Sequence, residues 1–209
     1  MTGTAVKSIK NRLGWWDMIE NMTRKAQLLL MFLVAPLFLT GFSPSKPKCD
    51  PPKFLNCKNA NLKGANLQGV ILWSANLQGA NLQGVNLTKA DLTGANLFQA
   101  NLNRANLEGA NLTNAELSFA RLLRANLTDA KLTNAKLGSA NLTNANLTNA
   151  QMTDAVLIYA NLTNANLSGA YMYRANLTAA NLTGANLLRA YLYHANLWAT
   201  ILPDGTRHD

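Results

Sequence analysis

The sequence predicts an all-β solenoid, a four-sided coil that closes about every twenty residues. Three observations predict it. From Leu62 to Leu202 every fifth residue is Leu, with Met152 and Met172 as the only substitutes. Two residues before each stands Ala, replaced only by Val70, Val85 and Thr200, and the residue between is usually Asn, as in Ala60-Asn61-Leu62. Two residues after each Leu, Gly or Asn recurs, from Gly64, Gly69 and Gly79 to Asn144, Asn149 and Asn164.

A period of five suits neither regular element. On an α-helix, residues five apart step about 140° around the axis and form no stripe. On a flat strand an odd period sends successive leucines to opposite faces. A backbone that bends by a quarter turn every five residues points them all inward. Coils then stack about 4.8 Å apart, and residues 60–202 make about seven of them. Each Leu buried this way contributes roughly 2 kcal/mol. Ala enters at a corner where a larger side chain would meet the neighbouring coil. Gly and Asn suit the turns because they tolerate left-handed torsions.

The pattern A(D/N)LXX, unbroken over residues 60–202, resembles the pentapeptide-repeat family. The resemblance implies a right-handed quadrilateral β-helix, in agreement with the geometry. The ending Ile201-Leu202-Pro203-Asp204-Gly205 resembles a common stop for such arrays, and Pro203 has no N–H for a further ladder. The tail 203–209 is a candidate cap for the last coil, whose edge must otherwise be paired or blocked. A monomer and an end-to-end homodimer both satisfy that requirement.

The first sixty residues differ. Residues 1–25 form a basic leader in which Val6, Ile9, Leu13 and Trp16 have helical spacing, suiting an amphipathic helix at a membrane interface as well as a disordered leader. Residues 26–42 carry no charge and predict a hydrophobic helix that enters a membrane, because nothing else in the chain could bury it. The segment is short for a span and contains Pro36. Two outcomes compete: a retained single-pass anchor, and a cleaved export signal with Ser43-Pro44-Ser45 as its small-residue site. The long leader favours the anchor. Residues 43–59 form a Pro/Lys-rich linker ending in the only cysteines, Cys49 and Cys57. If exported, the two form a candidate disulfide clamping the first coil. The alternative is a buried apolar Cys57 beside a free Cys49 thiol. Exported pentapeptide-repeat proteins of photosynthetic bacteria look similar here, which implies a solenoid in the periplasm or thylakoid lumen.

Residues twenty apart should stack on one side. The Asn66 to Asn186 column predicts amides bonded from coil to coil. The column Ile71, Asp91, Asn111, Lys131, Gln151, Tyr171, Tyr191 departs from the rule. Tyr171 should stack on Tyr191 and Tyr173 on Tyr193, beside Arg174 and His194. The adjacent side adds Phe98, Phe119, Ile158, Tyr159 and Trp198. Tyr171, Tyr173, Arg174, Tyr191, Tyr193, His194 and Trp198 are therefore candidate partner-binding residues; aromatic ladder packing is the structural alternative. Glu116 with Lys136 and Asp154 with Arg174 are candidate ion pairs. Arg104, Arg124 and Arg121 crowd together, solvated or bound to an anion.

No catalytic set, cofactor motif or metal-ligand cluster occurs, so the sequence predicts a non-enzymatic interaction module for a protein partner. Nine Asn-Leu-Thr/Ser triplets match the glycosylation sequon, but the repeat generates them unaided. Residues 60–202 carry nine Lys/Arg against five Asp/Glu, a net +4. Some pentapeptide-repeat proteins mimic DNA with an acidic rod and bind DNA gyrase, and this field has the opposite sign. Nucleic-acid binding is disfavoured too, for want of a strong basic stripe.

Overall fold

A computed structural model describes residues 56–209. The leader 1–25, the apolar segment 26–42, the linker up to residue 55 and Cys49 lie outside the described residues. In the rest, the residue preceding each Leu forms a parallel bridge with the residue twenty further on, from Asn56↔Asn76 to Asn181↔Ile201. Four columns of bridges define four sides: the first holds Asn56, the second Asn61, the third Asn66 and the fourth Ile71.

Each quintet has five N–H groups, and backbone carbonyls take four. Leu62 donates to the Asn81 carbonyl in the next coil (2.8 Å), Gly64 to Gln83 (2.8 Å), and Asn81 back to Ala60 (2.9 Å). Ala65 closes the corner on the Leu62 carbonyl at 3.1 Å. The fifth N–H, on the residue after Leu, has no ladder partner, and the Asn side chain takes it. The Thr183 N–H donates to Asn181 Oδ1 at 2.9 Å and the Trp198 N–H to Asn196 Oδ1 at 3.0 Å. Asp91 and Glu116 do the same for Thr93 and Ser118. This is why a short side chain with an acceptor oxygen dominates the position.

Every residue two after Leu, from Asn59 to Ala199, has φ between 51° and 67°. Gly and Asn were expected there; Phe119, Tyr159, Arg104 and Arg124 adopt the same left-handed backbone, which costs about 1–2 kcal/mol for an ordinary side chain. The ladder on both flanks holds them to it.

The core is a column of Leu, Met and Ala, buried from Leu72 to Leu182. Cys57 occupies the first Leu-type position, is buried, and is disulfide-bonded. Thr200 replaces Ala near the other end, and its buried hydroxyl donates to the Leu177 carbonyl at 2.7 Å. In the last coil Leu187, Leu192, Leu197 and Leu202 are only half-buried. The tail folds back as a hairpin, with β1 (Thr200–Ile201) antiparallel to β2 (Arg207–His208). Pro203 still accepts from the Gly184 N–H (2.8 Å) through its carbonyl. The hairpin thus extends the second side, and the half-buried leucines remain open to solvent.

The amide ladder expected on the third side is interrupted. Asn86, Asn126 and Asn186 donate directly to the Asn below, at 3.0, 3.0 and 3.1 Å. Asn106, Asn146 and Asn166 donate instead to Thr88, Thr128 and Thr148 Oγ1. Those hydroxyls in turn donate to Asn86, Asn126 and Asn146. A Thr two residues beyond the lower Asn brings its hydroxyl onto the amide oxygen and stands between the two amides.

One break in the repeat carries its own repair. Arg121 replaces Asn and cannot accept the Leu123 N–H. Asn103, buried in the coil below, accepts it instead through Oδ1 at 3.0 Å. Replacing Asn103 by Ala should lower stability by about 1 kcal/mol in the native background. In an Arg121→Asn background the loss should largely vanish, because Asn at 121 caps Leu123 locally. Denaturant unfolding of the four variants measures the coupling; an equal loss in both backgrounds would exclude this repair.

Candidate partner-binding face

The fourth side presents side chains from three positions of the quintet. Tyr171 and Tyr191 occupy the bridge column and pair with each other in the ladder. Tyr173 and Tyr193 follow the inward Met172 and Leu192, so they point outward again. Arg174 and His194 stand at the left-handed corners. The twenty-residue register superposes these sets, as the sequence predicts. Tyr171 and Tyr191 stack with centroids 4.8 Å apart and planes 1° from parallel. Tyr173 and Tyr193 lie 6.2 Å apart at 18°. His194 tilts against Tyr193 at 3.9 Å and meets Tyr173 edge-on at 5.9 Å. Arg174 Nε is held by Asp154 Oδ1 at 2.9 Å, one coil below. Burial first, then the neighbouring Tyr171, Tyr193 and Tyr173, push the Tyr191 hydroxyl above its usual pKa.

Trp198 is not part of this stack. It lies on the first side, capped through its backbone by Asn196, and makes no ring contact with the tyrosines among the described residues. Phe98 and Phe119 meet edge to face at 5.6 Å on that same side. The structure brings together six of the seven candidate residues and places Trp198 around the corner. The expected Glu116–Lys136 pair forms at 3.8 Å between exposed groups, a geometry worth little.

The nine aromatics of the described residues all lie on two adjoining sides. Trp73 and the four tyrosines of the stack are on the fourth; Phe98, Phe119, Tyr159 and Trp198 are on the first. Seven of the nine are between 44% and 66% exposed. The second and third sides show mainly Asn, Thr, Gln and Gly with charges of both signs, and one exposed large apolar side chain, Leu188.

Sequence reasoning missed the pairing of Trp73 with Asp91. Burial opposes ionisation of Asp91. Hydrogen bonds from the Thr93 hydroxyl, the Trp73 indole and the Thr93 amide, with the charge of Lys131, outweigh it and hold the carboxyl below its ordinary value. The two residues sit eighteen apart, a separation the columns alone do not flag. Among the described residues no group of three or more His, Cys, Asp or Glu is placed to hold a metal, and no helix is long and apolar enough to cross a membrane.

The family profile described as Pentapeptide repeats, in eight copies, matches stretches that together run from residue 56 to 202. The chain belongs to the pentapeptide-repeat family. Among solved structures it is similar to HetL, a pentapeptide repeat protein involved in heterocyst differentiation regulation from the cyanobacterium Nostoc sp. strain PCC 7120. That match has 36% identity and a TM-score of 0.63, over 74% of this chain and 72% of HetL. A pentapeptide repeat protein from the Arabidopsis thaliana thylakoid lumen aligns at 28% identity over 46% of this chain and 68% of its own, with a TM-score of 0.45. QnrB1, a plasmid-mediated fluoroquinolone resistance protein, aligns at 19% identity over 66% and 79%, with a TM-score of 0.48. Among curated proteins no match was found.

The Asp91 carboxyl yields a pH prediction. Its pKa is lower folded than unfolded, so its contribution is present above the unfolded value near 4 and fades as pH falls through the folded value. Asp91→Asn keeps the acceptor for Thr93 but does not titrate. The native protein should therefore lose more stability than this variant between about pH 5 and about pH 3, measured by denaturant midpoints at each pH.

Proposed function

We propose that the repeat domain is a non-enzymatic scaffold that takes a protein partner on its fourth and first sides. The observation that carries this reading is the confinement of all nine described aromatics to those two adjoining sides. A ladder alone needs an aromatic beside an aromatic on any side; it does not need every one on the same half. Tyr, Trp and Arg are the types enriched at binding hot spots, and exposed apolar surface gathered on one half of a molecule marks a contact region. A rod that acts by contact also fits a regulatory part, such as the one HetL takes in heterocyst differentiation.

In this reading the β-helix is right-handed, of about seven coils, and stands in the periplasm or thylakoid lumen. Residues 26–42 tether it to the membrane and the Pro/Lys linker spaces it. A Cys49–Cys57 disulfide closes the entrance to the first coil; the disulfide-bonded Cys57 supports it. The second reading is a cleaved, soluble rod exported to the same compartment, favoured by Ser43-Pro44-Ser45 after the apolar run. An N-terminus intact at Met1 in fractionated cells supports the tether; a mature N-terminus near Lys46 supports export.

Replacing Tyr171, Tyr173, Tyr191 and Tyr193 together by Thr tests the contact face. These side chains project outward, so the variant should keep the circular dichroism of the native coil with a modest loss of stability. It should lose the partner in a crosslinking pull-down. Unchanged recovery with the folded variant ends the proposal.

A further inference from the structure

We propose that Arg104, Arg121 and Arg124 form a site for a phosphate-type oxyanion on the second side, which adjoins the first. Three local rules fail together there. The first concerns the backbone. The corner residues of the second side run Gly64, Gly84, Arg104, Arg124, Asn144, Asn164, Gly184. All are left-handed, and only the two arginines lack the tolerance that Gly or Asn brings to that conformation. The second concerns charge. The Arg104 N–H donates to the Leu123 carbonyl at 2.9 Å, which sets Arg104 and Arg124 at directly stacked corners. Arg121 pairs in the bridge column with Asn101 and Asn141, so it rises from the same coil as Arg124. The third is the missing cap at Arg121, which Asn103 supplies from below.

Among the described residues none of these arginines is in an ion pair. The ion pairs among the described residues join Lys136 to Glu116, Arg174 to Asp154 and Arg207 to Asp209. The second side carries no carboxylate between Asn61 and Gly184. Glu108, on the adjoining third side, accepts from Asn126 at 3.4 Å instead. Lys63 lies two coils below on the same side and adds to the positive field. Places where local preferences break without structural gain are where function is expected. Three guanidiniums, always charged and forked, match the tetrahedral oxygens of phosphate. Two stacked corners and one adjacent bridge position supply donors from two successive coils. An exposed site of this kind takes a free phosphate or a phosphate carried by a lipid headgroup.

The test uses the full-length chain and the variant Arg104→Asn, Arg121→Asn, Arg124→Asn. Asn is the ordinary residue at each position, so the variant should fold and melt no lower than the native chain. Titration calorimetry with inorganic phosphate at constant ionic strength should show binding to the native chain, weakened at least tenfold in the variant. Flotation with phosphatidylcholine vesicles, with and without phosphatidylglycerol, separates the sources by the increment that phosphatidylglycerol adds, since residues 26–42 hold both proteins to either vesicle in the tethered reading. An increment that needs these arginines assigns the lipid headgroup, and calorimetric binding without it assigns free phosphate. Equal phosphate and vesicle binding by the two proteins overturns the proposal, as does a poly-glutamate peptide binding the native chain where neither phosphate source does.

Discussion

One amide in every five has no place in the backbone ladder, and the rest of the structure follows from where it goes. The coil bends after each Leu, and the N–H of the next residue turns away from both neighbouring coils. An Asn side chain just before the Leu reaches it, as Asn181 does for Thr183. With that hydrogen bond made, each quintet satisfies its own N–H groups, and an inward Leu adds burial without an unpaired polar group beside it. The prevalence of Asn at this position is therefore a backbone preference and carries no information about ligands.

The departures are informative for the same reason. Where Arg121 abandons the cap, Asn103 restores it from the coil below. Where Tyr171 and Tyr191 abandon it, they stack in the bridge column and form a flat exposed surface. The aromatic half and the cationic corner thus arise where the repeat tolerates an exception. Stability in such an array is a sum over neighbouring coils, so a local exception is carried by the coils beside it.

Much of this was legible in the sequence. The period of five dictated the inward leucines, the twenty-residue register and the tyrosine pairs, because residue spacing alone determines which side chains superpose. The sequence was less informative where hydrogen-bond geometry decides. The Thr of the sequon-like triplets reads as a by-product of the repeat, yet Thr88, Thr128 and Thr148 relay bonds between amides of successive coils. Spacing also put Trp198 on the adjoining side, where the structure has it. The Trp73–Asp91 contact depends on a rotamer, which no periodicity reports. The left-handed Phe119 and Tyr159 were hidden because intrinsic preference argues against them and only the flanking ladder overrides it.

The four-column register also constrains how the gene for such a chain can lengthen or shrink. Removing one quintet from the middle would leave every Leu inside and every Asn beside the amide it caps. It would nonetheless carry everything downstream to the preceding side, moving Tyr171, Tyr173, Tyr191 and Tyr193 out of line with Trp73. Core and surface therefore obey different arithmetic: the interior accepts insertions and deletions in units of five, whereas the sidedness of the exterior survives only whole circuits of twenty.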